Sequence, residues 1–191
     1  MSIKANGVNM EKRPYHHGDL RAALIEAGLA MLAERDVEGL SLREMARTVG
    51  VSATAVYRHF PDKTALMIAL AREGLSRLSA VQHEAADAAG GGLKGFAATG
   101  RAYVRFALAN PALFRLIFTS SAVARSSGEA EALRFLRANV AATLPDGADG
   151  AAIEIEAIRA WALVHGLAML MLDGQVPADD TLIERAIANL D

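Results

Sequence analysis

The sequence predicts an all-α protein of about nine helices, and its composition and the spacing of its apolar residues support this fold class. Alanine, the best helix former, is the most frequent of the 191 residues, and leucine is second. Apolar residues recur at the three- and four-residue spacing of a buried helix face, and the alternation of Val, Ile, Thr and Tyr that marks strands is absent. The chain contains no cysteine, which excludes disulfides and thiolate metal sites.

The first elements are a polar arm and a long helix. Residues 1–14 contain no apolar segment of a secretory signal, and we expect a flexible N-terminal arm there. Leu20, Leu24, Ala27 and Met31 then lie on one stripe of a helix that ends before the Val-Glu-Gly segment.

The next segment, SLREMARTVGVSATAVYRHFPDK, predicts two short helices joined by a tight turn. Ser41 and Glu44 form the capping-box pattern, in which the hydroxyl accepts from a backbone N–H and the Glu side chain reaches back. Gly50 ends the first helix because glycine turns left-handed without a Cβ clash. Ser52 caps the second helix, and Pro61 ends it. Two capped helices around a short glycine-containing turn are typical of a helix-turn-helix motif.

The second helix of this motif carries polar and aromatic side chains where a packing helix would carry apolar ones. Ala53 is small enough to bring the helix axis close to the bases, and its methyl group can contact a thymine methyl. Lys63 begins the following helix, where its ammonium and a free backbone N–H together suit a phosphate. The competing interpretation is an ordinary three-helix corner of an α-protein. The candidate DNA contacts are Arg43, Ala53, Thr54, Tyr57, His59 and Lys63.

The charge distribution supports contact with DNA through one face only. The net charge of the chain is −2, which by itself argues against a nucleic-acid partner. Between Gly39 and Lys63, however, four cations outnumber two carboxylates, and the balance turns acidic after Arg77. The affinity of one copy would be modest, so we expect a dimer that reads two half-sites of double-stranded DNA.

Caps, breaks and apolar stripes predict the remaining helices. Asp62 caps a fourth helix that continues to about Ala86, and three consecutive glycines at 90–92 mark a boundary. Asn110 and Pro111 suit the start of another helix. Further helices are predicted at 96–108, 129–144, 151–172 and 180–190, with a polar loop at 120–128.

The helix predicted at 151–172 is apolar nearly all round, which favours a subunit interface. Its most apolar run, 160–172, is too short to span a bilayer and contains a histidine, so we expect no membrane insertion. Trp161 and His165 lie one turn apart, and they could line a small-molecule cavity, form a dimer seam or simply pack in the core. With the aromatic residues of the preceding helices, Phe96 and Phe135 among them, they suggest an apolar ligand pocket. Its candidate residues are Tyr103, Phe106, Phe114, Phe118, Trp161 and His165.

The sequence contains no residue pattern that is typical of a catalytic, cofactor or metal site. The pair His16-His17 lacks further ligands at suitable spacing, and a position near the DNA backbone suits it better than a metal site. No nucleophile has a base at suggestive spacing, and there is no glycine-rich phosphate loop. We therefore predict no catalytic residue, no cofactor and no metal.

With these motifs in place, residues from about Tyr15 to Leu70 resemble the DNA-binding domain of the TetR family of transcriptional regulators. The resemblance lies in the long first helix, in SLREMARTVGV, in VYRHF and in the Asp-Lys-x-x-Leu start of the fourth helix. In the C-terminal half, NPALFRLIF and the Trp, His and Gly of WALVHG resemble a subgroup whose ligand domain is named for those three residues. The resemblance implies that the six candidate residues contact DNA: Arg43, Ala53, Thr54, Tyr57, His59 and Lys63.

The resemblance also implies the organisation and function of the whole chain. A helix-turn-helix domain at 15–62 would be followed by a regulatory domain at 63–191 for ligand binding and dimerisation. We expect a cytoplasmic, ligand-responsive regulator, more often a repressor, that reads a palindromic operator as a homodimer through its last two helices. The effector would be a small, apolar molecule. Two alternatives remain open, an enzyme and an α-helical adaptor without DNA binding.

Overall fold

A computed structural model describes residues 20–35, 37–119, 127–145 and 147–188 of the chain. These residues form nine α-helices and no strand, which confirms the predicted fold class. The predicted arm at 1–14 and the histidine pair at 16–17 lie outside the described residues. The helices are α1 Leu20–Glu34, α2 Leu42–Val49, α3 Ala53–His59, α4 Lys63–Ala88, α5 Gly92–Ala109, α6 Pro111–Thr119, α7 Ser127–Ala141, α8 Gly150–Leu172 and α9 Asp180–Ile187.

The turn between α2 and α3 has the geometry that its sequence predicts. Gly50 adopts a left-handed conformation with φ of +78°, and its N–H donates to the carbonyl oxygens of Ala46 and Arg47. Two residues later, the Ser52 hydroxyl accepts from the Ala55 amide at 3.2 Å and so caps α3. The direction in which α3 leaves the turn is therefore set by local hydrogen bonds.

At the start of α2, only half of the predicted capping box forms. The Ser41 hydroxyl accepts from the Glu44 amide at 3.4 Å, as expected. The Glu44 carboxylate, however, accepts from Arg35 at 2.9 Å instead of reaching back to the Ser41 amide. Glu44 thus ties α2 to the end of α1.

The first three helices enclose a core of their own against the beginning of α4. Its central side chains are almost fully buried: Leu24, Met45, Val56, Phe60, Leu66 and Leu70. Val56 and Phe60 come from α3 and its C-terminal cap, so they hold one side of that helix against the domain. The opposite side of α3 is left at the surface.

Helix α4 joins this core to the rest of the protein. It has 26 residues, which corresponds to a length of about 39 Å, and it packs against α1 at one end and against α5, α6 and α7 further along. At Gly74 a Cβ atom would lie 2.7 Å from the Leu113 side chain, so glycine permits the close approach of α6. A movement of α4 would therefore change its contacts with α1 as well as its contacts with α5, α6 and α7.

The three glycines at 90–92 form a tight turn between two helices that pack on each other. Their φ values of 80°, 71° and 59° are all positive, which suits glycine alone. Helix α5 begins at Gly92, four residues before the predicted start, because Gly91 provides an N-cap without a side chain. Since α4 and α5 are in contact along their lengths, the glycines reverse the chain within one packed body.

Two further helix boundaries differ from the sequence prediction by a few residues. Helix α7 runs Ser127–Ala141 instead of 129–144, and α9 is described as Asp180–Ile187. Most of the predicted polar loop, residues 120–126, lies outside the described residues, as do residues 189–191.

Helix α8 is less enclosed than its composition suggests. Ala157, Ala160, Val164 and Ala168 are buried against α5 and α7. Its other side is exposed and carries large apolar residues: Ile155, Ile158, Leu163 and Leu170. By length and composition alone α8 could cross a membrane, because the helix begins ten residues before the apolar run considered above and its most apolar window has a mean hydropathy of 1.5. One such helix is weak evidence for a membrane span.

Candidate nucleic-acid interface and C-terminal cavity

Helix α3 presents a polar and aromatic face to solvent. Thr54, Arg58 and His59 are exposed, and the Tyr57 side chain is 43% exposed although it is large and partly apolar. Ala53 is half-buried at the first position of the helix. A short helix with one buried side and a projecting polar side has the shape that enters a DNA major groove.

Two candidate contacts flank α3. Arg43 is exposed in the first turn of α2, where its long side chain can reach a phosphate or a guanine. Lys63 begins α4, but it is not the free clamp that the sequence suggests: its ammonium donates to the Glu38 carbonyl oxygen at 2.9 Å. The Asp62 carboxylate already caps the same helix end by accepting from Ala65 at 2.7 Å. An ammonium has three donors, so Lys63 can bind a phosphate while it keeps or exchanges this bond.

A cavity of about 190 Å³ lies between α4, α5, α6, α7 and α8. Its wall is largely apolar, with Leu78 from α4, Phe96 from α5 and Phe118 from α6 among its side chains. No charged side chain lines it among the described residues. The cavity therefore suits an uncharged ligand.

Tyr103, Trp161 and His165 form a hydrogen-bonded chain at one side of the cavity. The Trp161 indole N–H donates to the Tyr103 hydroxyl at 3.3 Å, and that hydroxyl lies 2.9 Å from Nδ1 of His165. Burial raises the pKa of Tyr103 above its usual range, against a smaller lowering effect of the hydrogen bond from Trp161. Burial also lowers the pKa of His165. Tyr103 is therefore protonated, His165 is neutral, and the two share one hydrogen bond.

The six predicted pocket residues are not all in the cavity wall. Tyr103, Phe118 and Trp161 line it. Phe114 and His165 stand behind Tyr103, and the Phe114 ring is edge-on to Tyr103 with centroids 5.4 Å apart. Phe106 was predicted in the pocket but does not line it.

Phe106 instead lines a separate surface groove between α4 and α5, beside Arg101 and Arg105. It lies almost one turn beyond Tyr103 on α5, and this difference in rotation is enough to place it on another surface. The sequence reasoning also missed three polar residues of the cavity wall, Gln82, Thr99 and Asn139. They occupy ordinary amphipathic positions, and no local pattern marks them.

Among the residues that the structure describes, no group of three or more His, Asp or Glu side chains could hold a metal ion. The exposed face of α3 and the apolar cavity are thus the described features that suit a binding partner, DNA in the first case and an uncharged small molecule in the second.

Two family models match the chain, and they match these two regions. Residues 24–70 match the model described as "Bacterial regulatory proteins, tetR family", and residues 96–190 match "Tetracyclin repressor-like, C-terminal domain". The chain belongs to the TetR family. As a TetR-family protein it is a DNA-binding transcriptional regulator and not an enzyme. The Trp-His-Gly subgroup is not the C-terminal model that matches, so that resemblance stays a prediction.

Individual proteins agree with this assignment. The chain is 39% identical over 64 residues to the HTH-type transcriptional repressor AcnR of Corynebacterium diphtheriae, a match that spans 34% of the chain and 34% of the length of that protein. A protein of unknown function from Rhodococcus sp. RHA1 is 35% identical, with a TM-score of 0.78 and coverage of 94% of this chain and 97% of that one. A TetR transcriptional regulator from Rhodococcus sp. RHA1, 21% identical, shares the fold with a TM-score of 0.56 over 88% of this chain and 93% of that one.

Proposed function

We propose that this TetR-family protein is a ligand-responsive repressor that reads a palindromic operator as a homodimer. The observation that carries the proposal is the exposed face of α3, which the turn at Gly50 and Ser52 holds outward from the domain. Residues 15–62 would form the DNA-binding domain, and residues 63–191 the regulatory domain. We expect the protein to act in the cytoplasm, where the DNA is.

Within the interface we assign two kinds of contact. Ala53, Thr54 and Tyr57 would face base edges and the adjacent backbone, because they lie at the start and centre of the exposed face of α3. Arg43, His59 and Lys63 would bind phosphates, which fix the position of the protein on the duplex and make its affinity salt-dependent.

The exposed apolar side of α8 supports the homodimer. Ile155 and Ile158 are each 51% exposed, and Leu163 and Leu170 continue the same apolar surface along the helix. At Gly166 a Cβ atom would meet no described atom within 4 Å, so another helix could approach closely there. A contiguous apolar surface of this kind marks a protein interface. Helix α9, which packs against α5, would complete the interface beside α8.

Helix α4 supports a link between the cavity and α3. Its first residue, Lys63, contacts the loop that precedes α2, and its Leu75, Leu78 and Gln82 line the cavity. A ligand that binds more tightly to one position of α4 shifts the population toward that position. A preference of about 1–3 kcal/mol is enough to change operator occupancy. The ligand would thereby misplace the two α3 helices for successive major grooves.

Fluorescence anisotropy with DNA from upstream of the coding region tests the DNA-binding part. Tyr57→Ala should abolish sequence-specific binding, whereas Leu93→Ala should leave it unchanged. The two side chains are matched, because Leu93 is 45% exposed but lies on α5, far along the chain from α3. Equal binding by the two variants would contradict the assignment of α3. No binding of this DNA by the unsubstituted protein, even at low salt, would instead favour the adaptor alternative.

Sedimentation velocity tests the homodimer. Ile158→Lys should convert the protein to a monomer by placing a charge in the proposed interface, and Leu93→Lys should leave a dimer. A dimer that persists in Ile158→Lys would show that the subunits meet elsewhere.

A further inference from the structure

We infer that the C-terminal cavity is selective for a small, neutral, single-ring molecule that carries a hydrogen-bonding group such as a hydroxyl. This inference rests on the proposed function of the cavity as an effector site. It adds the size, charge and hydrogen-bonding class of the ligand, which the cavity itself specifies.

The size of the cavity limits the ligand to about one ring. A dry apolar cavity of about 150 Å³ accommodates benzene, and drug-sized ligands occupy pockets of about 300–1,000 Å³. At about 190 Å³, the cavity has room for a six-membered ring with a short substituent. Leu75, Leu78 and Phe96 supply apolar walls against which such a ring can pack.

The described wall offers no opposite charge to an ionic ligand. A carboxylate or an ammonium that leaves water must find an opposite charge or a set of hydrogen bonds, and without them its transfer is strongly unfavourable. The polar side chains of the wall are all neutral: Gln82, Thr99, Tyr103, Asn139 and Trp161.

The hydrogen bonds of these side chains determine which groups remain for a ligand. Thr99 donates to the Phe96 carbonyl oxygen at 2.7 Å, Trp161 donates to the Tyr103 hydroxyl, and that hydroxyl shares a hydrogen bond with His165. These side chains are therefore already hydrogen-bonded within the protein.

The amides of Gln82 and Asn139 follow the same pattern with one N–H each. Asn139 donates to the Phe135 carbonyl oxygen at 2.8 Å, and Gln82 donates to the Thr99 carbonyl oxygen at 3.4 Å. Within the described part of the chain, neither amide oxygen accepts a hydrogen bond. Each amide thus has its oxygen and one N–H left for a ligand, on two helices, α4 and α7, and a ligand hydroxyl suits both because it donates and accepts.

Four probes of similar size separate these requirements: benzyl alcohol, toluene, benzoate and benzylammonium. Binding is read from the fluorescence of Trp161, which is the sole tryptophan of the chain and lines the cavity. Benzyl alcohol should bind about fivefold more tightly than toluene, the difference that one neutral hydrogen bond makes. Both ions should bind at least about 100-fold more weakly than benzyl alcohol. Equal or tighter binding of either ion, or no binding of benzyl alcohol, would overturn the inference.

Variants of the two amides test the hydrogen-bonding part. Asn139→Leu and Gln82→Met keep the side-chain size and should each reduce the preference for benzyl alcohol over toluene, and together they should remove it. Gln175→Met is the matched control, because Gln175 is exposed in the α8–α9 turn and should leave the preference intact. If the double variant does not fold, the single variants decide. An unchanged preference in both would show that other groups recognise the hydroxyl.

A second pair of variants locates the binding site. Ala160→Leu fills the cavity from α8 and should abolish binding of toluene and benzyl alcohol alike, whereas Ala152→Leu, at an exposed position of the same helix, should not. Binding that survives Ala160→Leu would place the ligand elsewhere. Because these titrations contain no DNA, they are independent of the repressor assignment: ligand binding as expected without any change in DNA affinity would contradict the proposed regulation and leave the ligand class intact.

Discussion

Replacement of Gly50 tests whether backbone conformation alone holds α3 in place. Gly50 has φ of +78°, and a Cβ built there meets no atom of the described residues within 4 Å. A side chain at this position therefore has room but a strained backbone. The effect of each substitution should follow the cost of the left-handed conformation and not the size of the side chain.

The structure allows the magnitudes to be estimated. The left-handed region costs an L-residue about 1–2 kcal/mol relative to glycine, so Gly50→Ala should lower the free energy of unfolding by about 1–2 kcal/mol. Gly50→Asn should cost less, because a short polar side chain bonds the local backbone in this conformation. Gly50→Val should cost more than Ala, because β-branched residues rarely adopt positive φ.

Urea unfolding followed by circular dichroism measures these differences. For a domain of 150–250 residues, about 1 kcal/mol corresponds to a fall in Tm of about 2–4 °C, so thermal scans give a second reading. Below the transition, Gly50→Asn should bind operator DNA like the unsubstituted protein. The loss in the free energy of unfolding should increase in the order Asn, Ala, Val. An equal loss for all three, or a loss above about 4 kcal/mol for alanine, would refute the reasoning.

Three further predictions concern Lys63, Phe114 and His165. Lys63→Ala should weaken binding to all DNA sequences about equally and flatten the salt slope by about one unit, whereas Arg72→Ala, on the exposed side of α4, should do neither in anisotropy titrations. Phe114→Ala removes a fully buried ring and should lower the free energy of unfolding in urea by about 3–5 kcal/mol. Because burial lowers the pKa of His165, the unfolded chain takes up a proton as the pH falls through about 6.5 while the native state stays neutral, so stability declines below that pH. In His165→Gln, unfolding measured between about pH 7 and pH 5 should decline less steeply.

The parts of the fold that depend on local chemistry were predictable from sequence. The cap at Ser52 and the left-handed Gly50 follow from neighbouring residues, because each bond spans four residues or fewer. The exposed character of α3 also follows from its composition, since Val56 is the buried apolar residue within a helix of polar and aromatic neighbours.

Contacts between distant residues were not predictable in the same way. The Lys63 ammonium bonds the Glu38 carbonyl oxygen 25 residues away, and Glu44 bonds Arg35 across the α1–α2 loop. A local sequence pattern does not encode contacts between residues that are distant in the chain. It therefore predicted that Glu44 completes the cap of its own helix and that the Lys63 ammonium is available to a phosphate.

The cavity shows the same limit on a larger scale. Aromatic residues in the C-terminal half pointed to a pocket, and Tyr103, Phe118 and Trp161 do line one. Which neighbours join them depends on the rotation of each helix about its axis. That rotation excludes Phe106 and brings in Gln82 and Asn139, and it is set by tertiary packing and not by the sequence of any single helix.

Hydroxyl-radical footprinting on the upstream DNA shows where the outward face of α3 meets the duplex. We predict two protected patches on one side of the DNA, about 10 base pairs or a multiple of that apart, and both should disappear with Tyr57→Ala. A single patch, or protection that persists in Tyr57→Ala, would contradict this prediction.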